Sequence, residues 1–257
     1  MNILLFLILA YRFISLVPSV TEIFYLLNSQ DSLLAVSYYC NYPPETKKKQ
    51  KVGDLLNPSY EEIIKLKPDF VIITLPMQTQ VARNLEKLGI RYINFNPESL
   101  EEILTVIDSV SKLAGVLDRG KLVMDSLKSI LNGIRPIKVT PKVYVELSEN
   151  PIYTAGKNSF LNDIISHAGG KNIFDSYSQS YFNPNPEEII TSNPDFIFLL
   201  YPEGSPKKVS KRIGWQKINA VKYGRIYCLD PDLFTRPGPR AFEAVIKINR
   251  ILLQGVK

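Results

Sequence analysis

Residues 61–73 read EEIIKLKPDFVII and residues 187–199 read EEIITSNPDFIFL; seven of the thirteen positions are identical and the offset is 126 throughout. Ser59 and Glu62 have the spacing of a capping box, and Asn185-Pro186 places proline at the first position of the second helix. Glu62 and Glu188 are therefore expected to help begin their helices. Glu61 and Glu187 are left to project from the first turn into water. Their plainest role is to complement the helix dipole, worth a few tenths to about 1 kcal/mol. A matched pair of exposed acids, one in each half, also suits contact with a partner that is itself two-fold.

Groups suited to catalysis are sparse. His167 is the only histidine, and it lies in the helical pattern LNDIISHAGG, where a capping or packed role is expected. Neither a nucleophile elbow, a complete phosphate loop nor a dinucleotide fingerprint is present, and AGKNS (155–159) and AGGKN (168–172) lack the required spacing. Hydrolases and metal enzymes use more imidazole than this. No catalytic residue, resident cofactor or protein-held metal is expected. Binding chemistry is better supplied: Tyr38, Tyr39 and Tyr42 follow one apolar run, Tyr201 another, and Asp232, Phe234, Arg236 and Arg240 a third. Tyr177, Tyr181 and Phe182 precede the second repeat helix. Aromatic faces with arginines beside them suit a flat organic ligand with anionic groups.

The elements that must position these residues alternate short apolar runs with helical patterns, the signature of βαβ units and parallel sheet. Strands are expected at 13–17, 33–37, 70–74 and 91–95, then at 142–147, 196–200 and 225–229. Helices are expected at 20–28, 59–67 and 79–88, then at 159–167, 186–193, 208–219 and 239–254. Between the halves, residues 99–134 keep helical spacing. Gly115 is expected to divide them, leaving about 118–134 as a helical connection that limits relative motion of the halves.

With 257 residues, 45% hydrophobic and 22% charged, the chain has enough material for one large domain or two lobes. The repeat favours two: a leader at 1–11, an N-terminal lobe at 12–115, an interlobe helix and exit at 116–140, and a C-terminal lobe at 141–257. The formal charge is +6, and much of the excess lies in KKKQK at 47–51, read as a solvated loop rather than a nucleic-acid contact. Cys40 and Cys228, one per half, are expected to be free thiols. The apolar run from Ile3 to Ala10 is far shorter than the roughly 20 residues of a membrane-spanning helix and is read as a short export signal.

The segments RFISLVPSVTEIFYLL, SYYCNYPPE, KVGDLLNPSYEEIIKLKPDFVI, GGKNIF and RPGPRAFEA together resemble the substrate-binding proteins of ABC importers for cobalamin and ferric siderophores, the helical-backbone class, from about Arg12 to the C-terminus. SYYCNYPPE and DPDLFTRPGPR are especially similar to the cobalamin binders. The resemblance implies two α/β lobes, each a mainly parallel sheet flanked by helices, joined by a single long interlobe helix, with ligand held in the cleft. It sets Tyr39 beside a corrin, Asp232 and Arg236 against ligand from the other lobe, and Tyr181 where the cobalamin binders carry tryptophan. Phe182 and Phe234 are counted with this wall. Leu55 and Thr74 also stand where those binders have tryptophans.

The ligand implied is a small-molecule metal chelate, a cobalt corrinoid ahead of a ferric siderophore or haem. An intracellular tetrapyrrole-handling enzyme or chaperone is the alternative from another class. By the same resemblance Glu61 and Glu187 dock into an ABC permease dimer. The protein is expected to be monomeric, exported by its N-terminal signal and extracytoplasmic, with no nucleic-acid partner.

Overall fold

The computed structural model describes residues 11–255. Apart from Tyr11, the expected leader lies outside the described residues. The chain divides into two compact units, one of residues up to Pro97 with Glu101–Ser126, the other of Glu98–Leu100 with residues from Leu127 onward.

In the first unit, β1 (Phe13–Ser15), β2 (Leu33–Val36), β3 (Gln50–Lys51), β4 (Phe70–Ile73) and β5 (Tyr92–Asn94) form a five-stranded sheet of order β3-β2-β1-β4-β5. Every pairing in it is parallel. Helices α1 (Pro18–Leu26), α2 (Tyr60–Leu66) and α3 (Thr79–Lys87) connect the strands. Ile14, Leu16, Val71 and Ile73 of the central strands and their exits pack against Ile63 of α2 and Val81 and Leu85 of α3. A fully buried aliphatic side chain of this kind contributes about 1.5–3 kcal/mol, so the packed faces of the sheet hold the unit together.

Helix α4 (Leu100–Leu113) and helix α5 (Leu117–Asn132) follow. Gly115 separates them at φ +71°, a left-handed conformation that glycine adopts without steric cost. The chain passes from the first unit to the second within α5.

The second unit is built on β6 (Lys142–Glu146), β9 (Lys171–Asn172), β11 (Phe196–Leu199) and β12 (Ile226–Cys228), in the order β12-β11-β6-β9 and again all parallel. A separate small antiparallel sheet of β7 (Ser148–Glu149), β8 (Ile152–Ala155) and β10 (Tyr181–Phe182) is tied to it by Thr154 Oγ1, which donates to Val145 O at 2.7 Å. Helices α6 (Phe160–His167), α7 (Pro186–Ser192), α8 (Pro206–Val209), α9 (Asn219–Lys222), α10 (Pro231–Phe234) and α11 (Ala241–Gly255) complete the unit.

Three expectations change. The helix expected over 208–219 is two short helices, α8 and α9, with a single 3-10 turn between them. Gly214 breaks it at φ +82°, where a Cβ would also meet the Ile190 side chain at 2.9 Å. Tyr181 and Phe182 lie on a strand and not on a loop, paired with Ala155 and Thr154. The KKKQK run is only partly solvated: Gln50 and Lys51 form β3, and Lys49 Nζ donates to Leu33 O at 2.8 Å.

The repeat has a structural explanation. After α2 and α7 the chain reverses through a left-handed residue, Lys67 (φ +47°) or Asn193 (φ +49°), then proline and aspartate. Asp69 Oδ2 accepts from Arg12 N at 2.7 Å, and Asp195 Oδ2 from Lys142 N at 2.9 Å. Their backbone amides return bonds to Arg12 O and Lys142 O, both at 2.8 Å. Each aspartate thus clamps the residue where the neighbouring strand begins and fixes the parallel register. Asp69→Ala and Asp195→Ala are each expected to lower stability by about 1.5–3 kcal/mol in urea unfolding, the scale of a hydrogen bond to a charged group. A loss below about 0.5 kcal/mol in either, the range of an ordinary surface change, would show the clamp to be idle.

Candidate functional site

In a parallel sheet all the strands end at one edge, and ligands of open α/β sheets bind beyond it. In the first unit that edge carries four loops joined by hydrogen bonds. Tyr38 N, after β2, donates to Gly53 O at 2.8 Å after β3. Gln78, with no exposed surface, donates through Nε2 to Leu55 O at 2.6 Å and accepts from Thr74 N at 2.7 Å. Thr74 Oγ1 and Leu75 N donate to Asn96 Oδ1 at 3.1 Å and Asn94 Oδ1 at 2.8 Å, linking the exit of β4 to that of β5. Gly53 is required by this geometry: at φ +99°, a Cβ would lie 2.7 Å from Asn57 O. Asp54 shapes the next turn by accepting from Leu56 N and Asn57 N at 2.7 and 2.6 Å, and these bonds hold its carboxyl below the usual range.

From this rim Tyr39 projects with 56% of its surface exposed, beside Tyr38 at 65%. Gln78 ties the backbone of Leu55 to that of Thr74.

In the second unit Tyr181 is 40% exposed, while Phe182 lies parallel to Tyr177 with ring centroids 5.1 Å apart and packs edge-on to Phe174 at 5.3 Å. The Tyr177 hydroxyl donates to Glu188 Oε1 at 2.9 Å, so Glu188 holds the aromatic stack. Arg236 Nη2 and Asp232 Oδ1 are 2.8 Å apart, which places the expected cation and acid together as an ion pair. Phe234 is a correction: it is 0% exposed, under the Lys247 ammonium, which lies 5.9 Å from its ring. Phe234, the last residue of the short helix α10, turns inward while Asp232 two residues before it remains accessible. Tyr201 also differs from its expected exposed position and is buried.

Tyr201 leads to a cluster that sequence reasoning missed. Glu146, the last residue of β6, has no exposed surface. Arg212 clasps it with Nη1 to Oε2 at 2.6 Å and Nη2 to Oε1 at 2.8 Å; the hydroxyls of Tyr201 and Tyr144 donate to it at 2.6 and 3.1 Å. The guanidinium also lies 4.7 Å over the Trp215 ring. Burial and then the Glu146 carboxylate raise the pKa values of both tyrosines. Desolvation opposes the Arg212 cation, but Glu146 outweighs it and raises its pKa. The available signal was a carboxylate in the otherwise apolar strand KVYVEL: a buried charge requires a partner.

Helices that feed parallel strands start at the same edge, and both exposed glutamates are there. Ser59 Oγ accepts from Glu62 N at 3.4 Å, as a cap should, but the reciprocal half of the capping box does not form. Ser59 N donates instead to Val52 O, and the Glu62 carboxylate accepts from Gln50 Nε2 and Lys65 Nζ, both at 3.1 Å. Asn185 Oδ1 caps α7 through Glu187 N at 3.0 Å. Glu61 and Glu187 are both exposed. Lys65 Nζ lies 2.8 Å from Glu61, whereas the corresponding residue in α7 is Thr191, whose hydroxyl donates to the Glu187 carbonyl at 2.8 Å.

His167 closes the last turn of α6 through Nδ1 to Asp163 O at 3.0 Å, with Asp163 Oδ1 at 3.3 Å. Cys40 is a buried and Cys228 an exposed free thiol. Among the described residues no group of three or more His, Cys, Asp or Glu side chains converges as a metal site, and no helix is long and apolar enough to cross a membrane.

Two parallel-sheet units that carry exposed aromatic and polar side chains suit the capture of a small solute. The chain belongs to the periplasmic binding protein family, whose model matches residues 14–233. It is 35% identical over 246 residues to an ABC transporter substrate-binding lipoprotein of Bacillus subtilis, covering 91% of this chain and 77% of the relative. It is 30% identical to a vitamin B12-binding protein of Vibrio vulnificus, covering 92% and 88%. A crystal structure of a possible iron-binding (periplasmic solute-binding) protein of Staphylococcus epidermidis has 32% identity and a TM-score of 0.83, covering 95% and 99%. The chain is thus a substrate-binding protein of the kind that serves ABC transporters, a family of carriers rather than enzymes.

Proposed function

We propose that this protein captures a metal chelate outside the cytoplasmic membrane, a cobalt corrinoid in the first instance, and delivers it to an ABC permease dimer. Tyr39, Tyr181, Phe182, Asp232 and Arg236 are the residues that contact the ligand. Glu61 and Glu187 dock the loaded protein, which acts as a monomer. The observations that carry this reading are the exposed aromatic rings, Tyr39 in one unit and Tyr181 in the other, and the Asp232–Arg236 ion pair. Rings offer broad apolar faces to a macrocycle, and the ion pair supplies a donor and an acceptor for its polar periphery.

A second reading, a ferric siderophore or haem, is favoured by Leu55 and Thr74, where the stacking surface of the cobalamin binders is replaced by an aliphatic and a hydroxyl side chain. The 32% identical possible iron-binding protein supports the same alternative. Purified protein incubated with cyanocobalamin, cobinamide, haemin or a ferric siderophore and then desalted is expected to retain one absorption spectrum. Corrinoid bands support the first reading and iron-chelate bands the second. Loss of all colour, with no heat in calorimetry, would overturn both.

A further inference from the structure

Lys51 ends the basic run KKKQK, yet its ammonium is turned into the protein. Nζ donates to Cys40 O at 2.9 Å and to Ser37 O at 3.3 Å. These carbonyls belong to the two ends of one tight turn, since Cys40 N donates to Ser37 O at 3.1 Å. Between them lie Tyr38 and Tyr39, whose rings point outward. Withdrawal from water lowers the Lys51 pKa, and an ammonium in that setting must recover lost hydration from carbonyls, which makes its two bonds demanding of geometry.

The rest of the turn is pinned in the same way. The buried Cys40 thiol accepts from Thr21 Oγ1 at 3.1 Å and pairs with Ser37 Oγ at 3.3 Å, and Tyr38 N is held by Gly53 O. β3 sets Lys51 beside Val36, the last residue of the strand that leads into the turn. The lysine therefore starts from fixed backbone and closes on the turn from below.

We propose that Lys51 is a positioning residue for ligand capture: by gripping the carbonyls of Ser37 and Cys40 it presents the Tyr39 ring to the chelate in one orientation. This rests on the chelate-binding reading, in which Tyr39 touches ligand. A turn fixed beforehand spares the ordering cost that a loose one would incur on binding. Lys51→Met keeps the length of the stem and removes both bonds.

The test is a double-substitution cycle, with dissociation constants for cyanocobalamin and haemin measured by absorbance titration. Lys51→Met is expected to weaken binding of the retained probe by about tenfold, but to add less than about twofold once Tyr39→Ala is present, because a shared effect does not add. Lys51→Arg, which keeps charge and donors, is expected to recover most of the affinity. An equal loss with and without Tyr39, or no loss at all, overturns the proposal. A readout independent of ligand uses Cys228→Ser protein, in which Cys40 is the one thiol. Its reaction with an aromatic disulfide reagent is expected to accelerate in Lys51→Met, and an unchanged rate also overturns the proposal. If the unsubstituted protein retains neither probe, the cycle is run with whichever of cobinamide or the ferric siderophore it retains; retention of none of the four overturns the chelate reading instead, and the thiol rate still decides whether Lys51 holds the turn.

Discussion

Protein carrying both Glu61→Ala and Glu187→Ala is expected to lose permease-dependent uptake while capturing ligand within about twofold of the unsubstituted protein, as sites without shared partners behave nearly independently. Both side chains leave the first turn of a helix into solvent, and the capping bonds of α2 and α7 come from Ser59 and Asn185. Alanine is a good helix former, so neither helix should be disturbed. Loss of close charge pairs at an interface weakens binding by about a hundredfold or more. The single substitutions should be unequal. Lys65 occupies Glu61 and must let it go, whereas Thr191 makes no such claim on Glu187, so Glu187→Ala is the costlier of the two. Uptake in reconstituted vesicles, set beside ligand titration of the same preparations, checks this. Parallel weakening of ligand binding and uptake would remove the docking role.

Arg212→Leu is expected to destabilise the second unit by about 3–5 kcal/mol, the cost of leaving a buried charge without its partner. Glu146 has no exposed surface, and two of its four close donors are the Arg212 nitrogens. The same substitution combined with Glu146→Leu should recover most of the loss, because two apolar side chains of similar volume replace an ion pair at little net cost. Urea unfolding followed by Trp215 fluorescence reads the right place, since the guanidinium stacks on that ring. A single-substitution loss under about 1 kcal/mol would mean that the pair is solvated enough to be of the surface kind.

The pH dependence has a defined sign. Tyr144 and Tyr201 are raised in the folded protein, so their contribution is complete below the usual tyrosine value of about 10. It is lost as pH rises above that value, while the unfolded chain ionises and the folded one does not.

The alternation of short apolar runs with helical spacing was enough to read the parallel α/β class, because strands buried on both faces require near-continuous apolar residues. FISLV, FVIIT, KVYVEL, FIFLL and RIYCL accordingly each contain a strand. The exposure of Glu61 and Glu187 followed from cap spacing, a local rule. Tyr39 was legible as a strand-end aromatic and Tyr181 as one preceding the second repeat helix, though the sequence did not distinguish them from Phe234 and Tyr201, which the structure buries. That distinction depends on which side of a four-residue helix or a strand exit faces the core, and short elements carry too few periods to show it.

Bonds between segments distant in the chain were decided by tertiary structure alone. Lys51 was read with its basic run as part of a solvated loop, and Gln78 carried no signal; Lys51 grips the turn after β2, and Gln78 joins the loops after β3 and β4. Glu146 and Arg212 meet across 66 residues, and Asp69 and Asp195, half of the repeated motif, clamp strands that begin more than 50 residues earlier. Local sequence sets periodicity and caps because the backbone repeats every few residues. Which polar group answers which is set only when the sheet order brings remote loops to one edge.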